Sequence, residues 1–233
     1  MKILAAECSA VSASCAIMAD GKTIASSFVN LRLTHSQTLL PMIKAMLESA
    51  KMTLDDIDGF AVSRGPGSFT GIRIGISAIK GMAAAENKKC VGVSTLHAMA
   101  QNLRDTDCIA CCVMDARCNQ VYNALFRISG GKIERLCEDR ALLCEELAAE
   151  LKENYKNEKI IVVGDGTEVF ASAAEGLNLT LSPDSSRYQS AVGVALTALR
   201  YFESGDTLTP DELLPTYLRL PQAERELKAK LNK

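Results

Sequence analysis

Short apolar segments alternate with amphipathic ones along the whole chain of 233 residues. Apolar runs bounded by turn residues are typical of strands, whereas an apolar period of 3.6 residues is typical of helices. The opening segment predicts strands at about 2–7, 13–19 and 23–29. The dipeptide Asp20-Gly21 between the last two predicts that they form a hairpin.

After these strands the pattern changes to alternating helices and strands. Ser36 is a suitable N-cap for an amphipathic helix, because its hydroxyl can accept a hydrogen bond from a free backbone amide of the first turn. The predicted elements are a helix from Ser36 to about Lys51, a strand at Phe60–Ser63, a glycine loop, a helix to about Glu86, a strand near Cys90–Val93 and a helix from Thr95.

The second half of the chain repeats this order of elements. Its strand at 108–114 ends in Asp115, as the first strand ends in Glu7, and both halves carry a glycine loop after a later strand. The matching elements are a hairpin of Val121–Arg127 with Ile133–Leu136, a helix at about 144–155, a strand at Ile160–Val163 before Gly164-Asp-Gly166, and a helix from about Ser190 to Phe202.

Such a repeat predicts a duplicated α/β fold of two lobes, each with a mixed sheet flanked by helices. We assign the N-terminal lobe to 1–104 and the C-terminal lobe to 105–233, with the last helices packing back on the first lobe. The alternative is the strand–helix rhythm that any α/β protein shows. The matching acidic strand ends and paired glycine loops favour the repeat.

Composition narrows the classes of function. The 26 Lys and Arg residues nearly balance 28 Asp and Glu residues, which excludes a strongly basic nucleic-acid-binding domain. Trp is absent and aromatic residues make up only 5% of the chain, which argues against a base-stacking platform. The first apolar run meets Glu7 after four residues, too short for a signal peptide, and no window is long enough to span a membrane. We therefore expect a cytoplasmic protein.

The nine cysteines fit a reducing compartment. Cys108-Ile-Ala-Cys111 matches a CxxC pattern, but residues three apart on a strand point to opposite faces and no second pair follows at zinc spacing. Inert buried thiols are therefore expected. The sequence leaves open whether Cys8 and Cys15 approach each other across a turn.

The glycine loop Gly65-Pro-Gly67 precedes a helix, and free amides at a helix N-terminus favour anions. It lacks the Lys-Ser or Lys-Thr of a Walker loop, and the next strand closes at Ser94 rather than at the acidic residue of a dinucleotide fold. Taken alone, the loop fits a packing turn and a phosphate site equally well. The candidates for nucleotide or anion binding are Glu7, Ser9, Gly65, Gly67 and Ser68.

The longer segment Gly65-Pro-Gly-Ser-Phe-Thr-Gly-Ile-Arg-Ile-Gly75 resembles the signature of the TsaB (YeaZ-type) family, a subunit of the bacterial machinery that makes threonylcarbamoyladenosine in tRNA. The resemblance covers nearly the whole chain and implies a duplicated actin/Hsp70-like (ASKHA, ribonuclease H-like) fold. Further matching segments, in order, are Ile3-Leu-Ala-Ala-Glu-Cys-Ser9, His35-Ser36 before Leu39-Leu-Pro41, Asp115-Ala-Arg117 before Val121-Tyr122, and Leu214-Pro-Thr-Tyr-Leu-Arg219.

The resemblance implies a non-catalytic scaffold subunit. It would bind a TsaD-like threonylcarbamoyltransferase that modifies the adenosine beside the tRNA anticodon, with a TsaE-like ATPase acting through the same complex. It also implies a homodimer when the chain is alone, indirect contact with tRNA and no membrane. No cofactor is required by this chain, whereas ATP or ADP is expected in the complex.

The residues agree with a loss of catalytic equipment. TsaD-like members carry a His-x-x-x-His metal pair, but here only His97 remains in that segment, and the other histidine, His35, lies on a different helix. Since a catalytic metal needs about three protein ligands, we expect no metal and hydrogen-bonded structural roles for both histidines.

Two enzymatic rivals stay open. The first is a nucleotide-dependent transferase that uses Glu7, Ser9 and the two glycine loops, although the resembling ATP-binding proteins mostly carry Asp in place of Glu7. The second is a metallopeptidase-like protein. Asp115 and Arg117 are expected to form a structural ion pair, and the charged tail Pro221–Lys233 is expected to be a solvated face.

Two helices carry more apolar surface than one core requires. In the helix at 36–51 the apolar side chains span about 160°, against about 100° for a helix with one buried stripe. This surplus is either enclosed within the fold or covered by a partner, and the resemblance implies dimerisation through these helices. Ile43→Glu or Met46→Glu should then break the dimer and leave the monomer folded. The predicted interface residues are Leu39, Leu40, Met42, Ile43, Met46, Leu47, Ile72, Ile76 and Ile79.

Overall fold

The computed structural model describes residues 1–219, which form two lobes built on two mixed sheets. The charged tail named above lies outside the described residues. No helix in this part of the chain combines the length and the apolar character needed to cross a bilayer.

The first lobe is a five-stranded sheet in the order β3-β2-β1-β4-β5. Asp20 and Gly21 both have positive φ, as the predicted hairpin turn requires. Strands β1 and β4, and then β4 and β5, pair in parallel. The bounds are β1 Lys2–Glu7, β2 Ala13–Ala19, β3 Lys22–Val29, α1 His35–Ala50, β4 Gly59–Gly65, α2 Phe69–Ala85 and β5 Lys89–Ser94.

A short helix, α3 (Thr95–Ala100), and a 3-10 turn at Gln101–Leu103 connect this sheet to the second one. The second sheet has the order β11-β10-β6-β7-β8, and β9 also pairs with β7. Its elements are β6 Cys108–Arg117, β7 Gln120–Ser129, β8 Lys132–Arg135, β9 Arg140–Leu143, α4 Cys144–Asn154, β10 Ile160–Val163, α5 Thr167–Ala173, β11 Leu179–Leu181 and α6 Asp184–Arg187.

Helix α7 (Ala191–Ser204) returns to the first lobe. Its buried side chains pack on the face of the first sheet opposite α1 and α2. Ser190 caps this helix by accepting a hydrogen bond from Val192 N, and Ala191 N donates to Ser14 Oγ on β2 at 2.8 Å. The chain from 205 to 219 then runs along the first lobe; we call it the C-terminal strap.

The two sheets with flanking helices confirm the predicted fold class and the repeated order of elements. Helix α1 begins at His35 after Thr34, so Ser36 lies inside the first turn and its predicted role as N-cap is wrong. The pattern missed four short elements, namely β9, α5, β11 and α6. Each has no more than seven residues, too few for a period to emerge.

Candidate functional site

A cleft of about 1080 Å³ lies between the lobes. Its first-lobe wall is the turn after β1 together with the start of α2, and its second-lobe wall is the β6–β7 hairpin and the start of α5. The C-terminal strap borders it through residues 216–219. The cleft therefore brings together the two glycine loops and the acidic end of β6 at Asp115, while Glu7 at the end of β1 lies behind the first-lobe wall.

The predicted anion-binding residues come together at the first-lobe wall, but they bond to one another. Ser68 N donates to Ser9 O at 2.7 Å, and Ser9 N donates to Glu7 Oε1 at 2.5 Å. Ser9, Gly67 and Ser68 line the cleft, whereas Glu7 and Gly65 are buried behind it. Two of the amides that could have held an anion are thus already used within the wall.

The glycines of the signature serve close packing. A methyl group at Gly71 would lie 2.0 Å from the carbonyl oxygen of Cys8, and one at Gly67 would lie 2.4 Å from Ser9 O. Gly65, with φ of +127°, would place a methyl group 2.2 Å from Thr216 O on the strap. Since any side chain here would collide with backbone, these glycines let α2 dock on the turn after β1.

Glu7 is fully buried, and this burial raises the pKa of its carboxyl group. Its Oε1 atom accepts from Ser9 N, whereas its Oε2 atom has no hydrogen-bond partner among the residues described. Two nearby hydroxyls, Ser9 Oγ and Ser12 Oγ, are also buried without a partner in this part of the chain, although both residues border the cleft.

The second-lobe wall keeps its carboxylates at the cleft. Arg117 Nη1 lies 3.2 Å from Asp115 Oδ2, which confirms the predicted ion pair. Asp165, in the second glycine loop, accepts a hydrogen bond from Gln189 Nε2 at 2.6 Å. Burial raises the pKa of Asp165 to about 6, and the charges of Asp115 and Glu7 act in the same direction.

Neither histidine has the surroundings of a metal ligand. His35 Nε2 donates to Ala10 O at 2.7 Å and so fixes the turn after β1, as predicted. His97 instead stacks on Phe126, with ring centroids 5.3 Å apart, and burial lowers its pKa to about 4. Among residues 1–219 no group of three or more His, Cys, Asp or Glu side chains is arranged to hold a metal ion.

The cysteines are free thiols throughout the described chain, including Cys8 and Cys15. Cys108 and Cys111 lie in different core clusters on opposite faces of β6, as the strand reading of the CxxC pattern predicts. Burial raises the pKa of Cys111 far above its usual range and that of Cys15 to about 12, so both are poor nucleophiles.

The structure corrects the interpretation of α1 and α2. Seven of the nine predicted interface side chains are at most 8% exposed and belong to the core beneath these helices. Their wide apolar arc is covered because α1 packs on β2 and β3 on one side and on α2 on the other. The inference from surplus apolar surface is therefore wrong for Leu39, Ile43, Met46, Leu47, Ile72, Ile76 and Ile79.

The remaining two predicted residues border an outer face shared by both helices. Leu40 is 52% exposed, and Met42 is partly buried. The other exposed positions are mostly small, which allows a second helix to approach closely. We call this surface the outer helix face; its exposed members are Leu40, Pro41, Lys44, Ala45, Glu48 and Ser49 of α1 and Arg73, Ser77, Gly81, Ala84 and Ala85 of α2.

Sequence reasoning missed one cluster at the mouth of the cleft. Phe69 and Tyr217 stack with centroids 4.7 Å apart, and the guanidinium carbon of Arg73 lies 3.9 Å from the centroid of the Phe69 ring. Arg73 Nε donates to Tyr217 OH at 2.9 Å. Nothing in the local pattern predicts a contact between residues 144 positions apart.

Comparison with known proteins places the chain in a family. The family model described as TsaD, tRNA N6-adenosine threonylcarbamoyltransferase, matches residues 31–209. The chain is 31% identical to the tRNA threonylcarbamoyladenosine biosynthesis protein TsaB of Escherichia coli K12, over 99% of this chain and 100% of that protein.

Solved structures agree with the sequence comparison. The fold is similar to that of YeaZ from Pseudomonas aeruginosa, with a TM-score of 0.81, 26% identity and coverage of 93% of this chain and 99% of that one. Component A of (R)-2-hydroxyglutaryl-CoA dehydratase from Acidaminococcus fermentans has a TM-score of 0.50 at 13% identity, with coverage of 86% of this chain and 98% of that one, and shows the fold alone. The two-lobed architecture is the actin/Hsp70-like (ASKHA) fold. With full-length similarity and the signature helix both in place, the chain belongs to the TsaB family.

Proposed function

We propose that this chain takes part in the biosynthesis of threonylcarbamoyladenosine in tRNA as a non-catalytic scaffold subunit. The proposal rests on the observation that the signature glycines serve close packing of the backbone. Gly67 and Gly71 bring α2 against the turn after β1, and the backbone amide of Ser68 there is already paired with Ser9 O. The signature thus builds a rigid helix rather than a reaction centre.

The partner of this scaffold is a TsaD-like threonylcarbamoyltransferase bound to the outer helix face. Leu40 supplies an exposed apolar side chain, and the small residues around Gly81 leave room for a partner helix. When no such partner is present, the same face pairs with a second copy of this chain. A TsaE-like ATPase and the tRNA join through the complex rather than through this chain, which works in the cytoplasm.

Leu40→Glu tests the interface directly. The substitution places a charge on the outer helix face at an exposed position, so the subunit should stay folded while affinity for the TsaD-like subunit falls by about tenfold or more. Isothermal titration calorimetry would measure the affinity. Ile24→Glu, on the exposed side of β3 and 53% exposed in the native chain, is the matched control and should bind like the native protein. Equal affinities for the two variants would contradict the proposed face.

Ile43→Glu and Met46→Glu have a different expected outcome from the one the sequence suggested. Both side chains are at most 5% exposed in the core below α1. A buried unpaired carboxylate costs several kcal/mol, roughly the size of a whole domain's stability. These variants should therefore lose their cooperative thermal transition instead of forming folded monomers.

A nucleotide site in the cleft is the second candidate. Ser9 Oγ and Ser12 Oγ are buried without a partner in the described chain, and both residues border the cleft beside the start of α2, where a phosphate group could accept hydrogen bonds from them. Calorimetric titration of the isolated chain with ATP and Mg²⁺ separates the two candidates. Tight binding at one site that is lost in Ser9→Ala would favour nucleotide chemistry, whereas no heat beyond dilution would leave the scaffold as the function.

A further inference from the structure

We infer that the C-terminal strap is a latch that couples the position of the second lobe to the first turn of α2. Through α2 the strap also sets the affinity of the outer helix face for a partner, and this effect on binding rests on the proposed function. Within the strap, the stack of Tyr217 on Phe69 lies two residues from the hydrogen bond of Arg219 that crosses the cleft.

The strap follows α2 along its length, from the C-terminal half to the first turn. Lys80 Nζ donates to Asp211 O at 3.3 Å, and Leu213 is fully buried in the core that α2 shares with the first sheet. Thr216 N then donates to Arg64 O at 2.7 Å, which brings the strap to the glycine loop. The strap is thus part of the first lobe up to this point.

Tyr217 anchors the strap to the first turn of α2. Its ring stacks on Phe69, and its hydroxyl accepts a hydrogen bond from Arg73, whose guanidinium group also covers the Phe69 ring. Arg73 is itself a member of the outer helix face. A displacement of Tyr217 therefore changes the side chain that α2 presents to a partner.

Two residues later the strap reaches the second lobe. Arg219 Nη1 donates to the carbonyl oxygen of Ala116 at 2.7 Å, in the β6–β7 hairpin that forms the opposite wall of the cleft. A chain spans at most about 3.6 Å per residue, so the backbone from Tyr217 to Arg219 reaches no further than about 7 Å. If the lobes separate by more than a few ångströms, either the Arg219 hydrogen bond or the Tyr217 stack must break.

A second hydrogen bond between the lobes lies outside the cleft lining. Ser94 Oγ, at the start of the crossover helix α3, donates to Asp139 Oδ2 of the second lobe at 2.6 Å. That bond lies beside the covalent connection between the lobes. The strap supplies a bond away from this crossover, and it connects to α2.

Arg219→Met tests the latch, with Lys80→Met as the matched control. Both changes remove a cation that donates to one backbone carbonyl, but only the first bond crosses the cleft. Hydrogen exchange of the full chain, read by mass spectrometry, should show exchange at least tenfold faster in the β6–β7 hairpin and the first turn of α2 for Arg219→Met. Lys80→Met should accelerate exchange only near 205–213. Arg219→Lys, which keeps a donor, should restore part of the protection.

Native exchange at both places in Arg219→Met would overturn the latch. If Arg219→Met does not fold, Tyr217→Ala cuts the other anchor and should give the same paired acceleration; acceleration confined to the strap would again contradict the inference. The partner arm uses the same calorimetric assay as Leu40→Glu and expects at least a threefold change in affinity. If the native chain does not bind the TsaD-like subunit, the proposed function fails, while the exchange result still decides the latch.

Discussion

The two lobes repeat one backbone plan but differ in the chemistry at the end of their central strands. In both, a glycine loop closes against that strand: a methyl group would lie 2.4 Å from Ser9 O at Gly67 and 2.0 Å from Val113 O at Gly164. The acid of the first lobe, Glu7, is buried, whereas Asp115 of the second faces the cleft with a charged partner. Both lobes therefore share the close backbone packing at the glycine loop, and they differ in the surroundings of the acidic side chain beside it.

The helices after these loops differ in the same way. The first loop leads into α2, with 17 residues and an exposed outer face, and the second leads into α5, with only seven. The first lobe therefore carries a long helix with an exposed face, whereas the second carries only a short helix at the cleft wall. A catalytic site between them would need both walls, and the first wall is occupied by its own hydrogen bonds.

Gly71→Ala should cause the largest loss of stability, because it breaks the packing of α2 on the turn after β1 in the first lobe. The added methyl group meets the backbone of Cys8, which cannot rotate away, so α2 must shift. We expect the free energy of unfolding to fall by about 3 kcal/mol or more. Urea unfolding followed by circular dichroism measures it.

Gly81→Ala is the control in the same helix. Apart from the neighbouring backbone of its own helix, no atom of residues 1–219 lies within 4 Å of the position that the new methyl group would take, and the position is exposed. Alanine there should stabilise the protein by about 0.5–1 kcal/mol. Similar losses for the two variants would show that the glycines do not act through close packing.

His97 lies on α3, in the crossover between the two sheets. Its titration should give the next largest effect on stability. Its pKa is about 4 in the folded protein and near 6.5 when exposed, so only the unfolded state gains a proton between these values. Stability should fall by about 2–3 kcal/mol as the pH drops from 6.5 to 4. His97→Gln should remove this part of the pH dependence in denaturant titrations; an unchanged slope would contradict the burial argument.

Asp165→Asn should have a smaller effect than the His97 titration, with the opposite pH dependence. The folded protein holds the Asp165 proton up to about pH 6, above the usual 3.8, so stability is gained as the pH falls from 6 to 3.8 and lost as it rises. The variant, whose amide oxygen can still accept from Gln189, should be more stable than the native chain by about 1–2 kcal/mol at pH 8.

Glu7→Gln sharpens the contrast between the lobes. Burial raises the pKa of Glu7 as well, so the native chain loses stability as the pH rises, and Glu7→Gln should be the more stable of the two at high pH in urea titrations. Because the charge of Glu7 also acts to raise the pKa of Asp165, the variant should lower that pKa. If Glu7→Gln alters ligand binding in the cleft and Asp165→Asn does not, the two walls have been assigned the wrong roles.

Periodicity and turn residues were enough to predict the long elements and the duplication. The hairpin at Asp20-Gly21 and the placement of Cys108 and Cys111 on opposite faces followed from local rules. The predicted interface residues did not follow from local rules. An apolar arc indicates that a helix face is buried, but it does not indicate which part of the protein covers that face. For Ile43 and Ile76 the cover is the subunit's own sheet and neighbouring helix.

The strap was beyond sequence reasoning for a different reason. The sequence led us to expect that the last helices pack back on the first lobe, but no local pattern specifies that Tyr217 then meets Arg73. The glycine signature was ambiguous between a phosphate cradle and a packing turn until the carbonyl oxygens of Cys8 and Ser9 were seen against it.

Reconstitution of threonylcarbamoyl transfer is the most direct measurement of whether this chain is a scaffold. The rate of transfer to the tRNA adenosine by the TsaD-like subunit, with its TsaE-like ATPase present, would be followed as this chain is added. We predict no transfer by the chain alone, a rate that rises and saturates near one chain per TsaD-like subunit, and no rise with Leu40→Glu. Transfer by the isolated chain, or a partner rate that ignores its presence, would contradict the scaffold function.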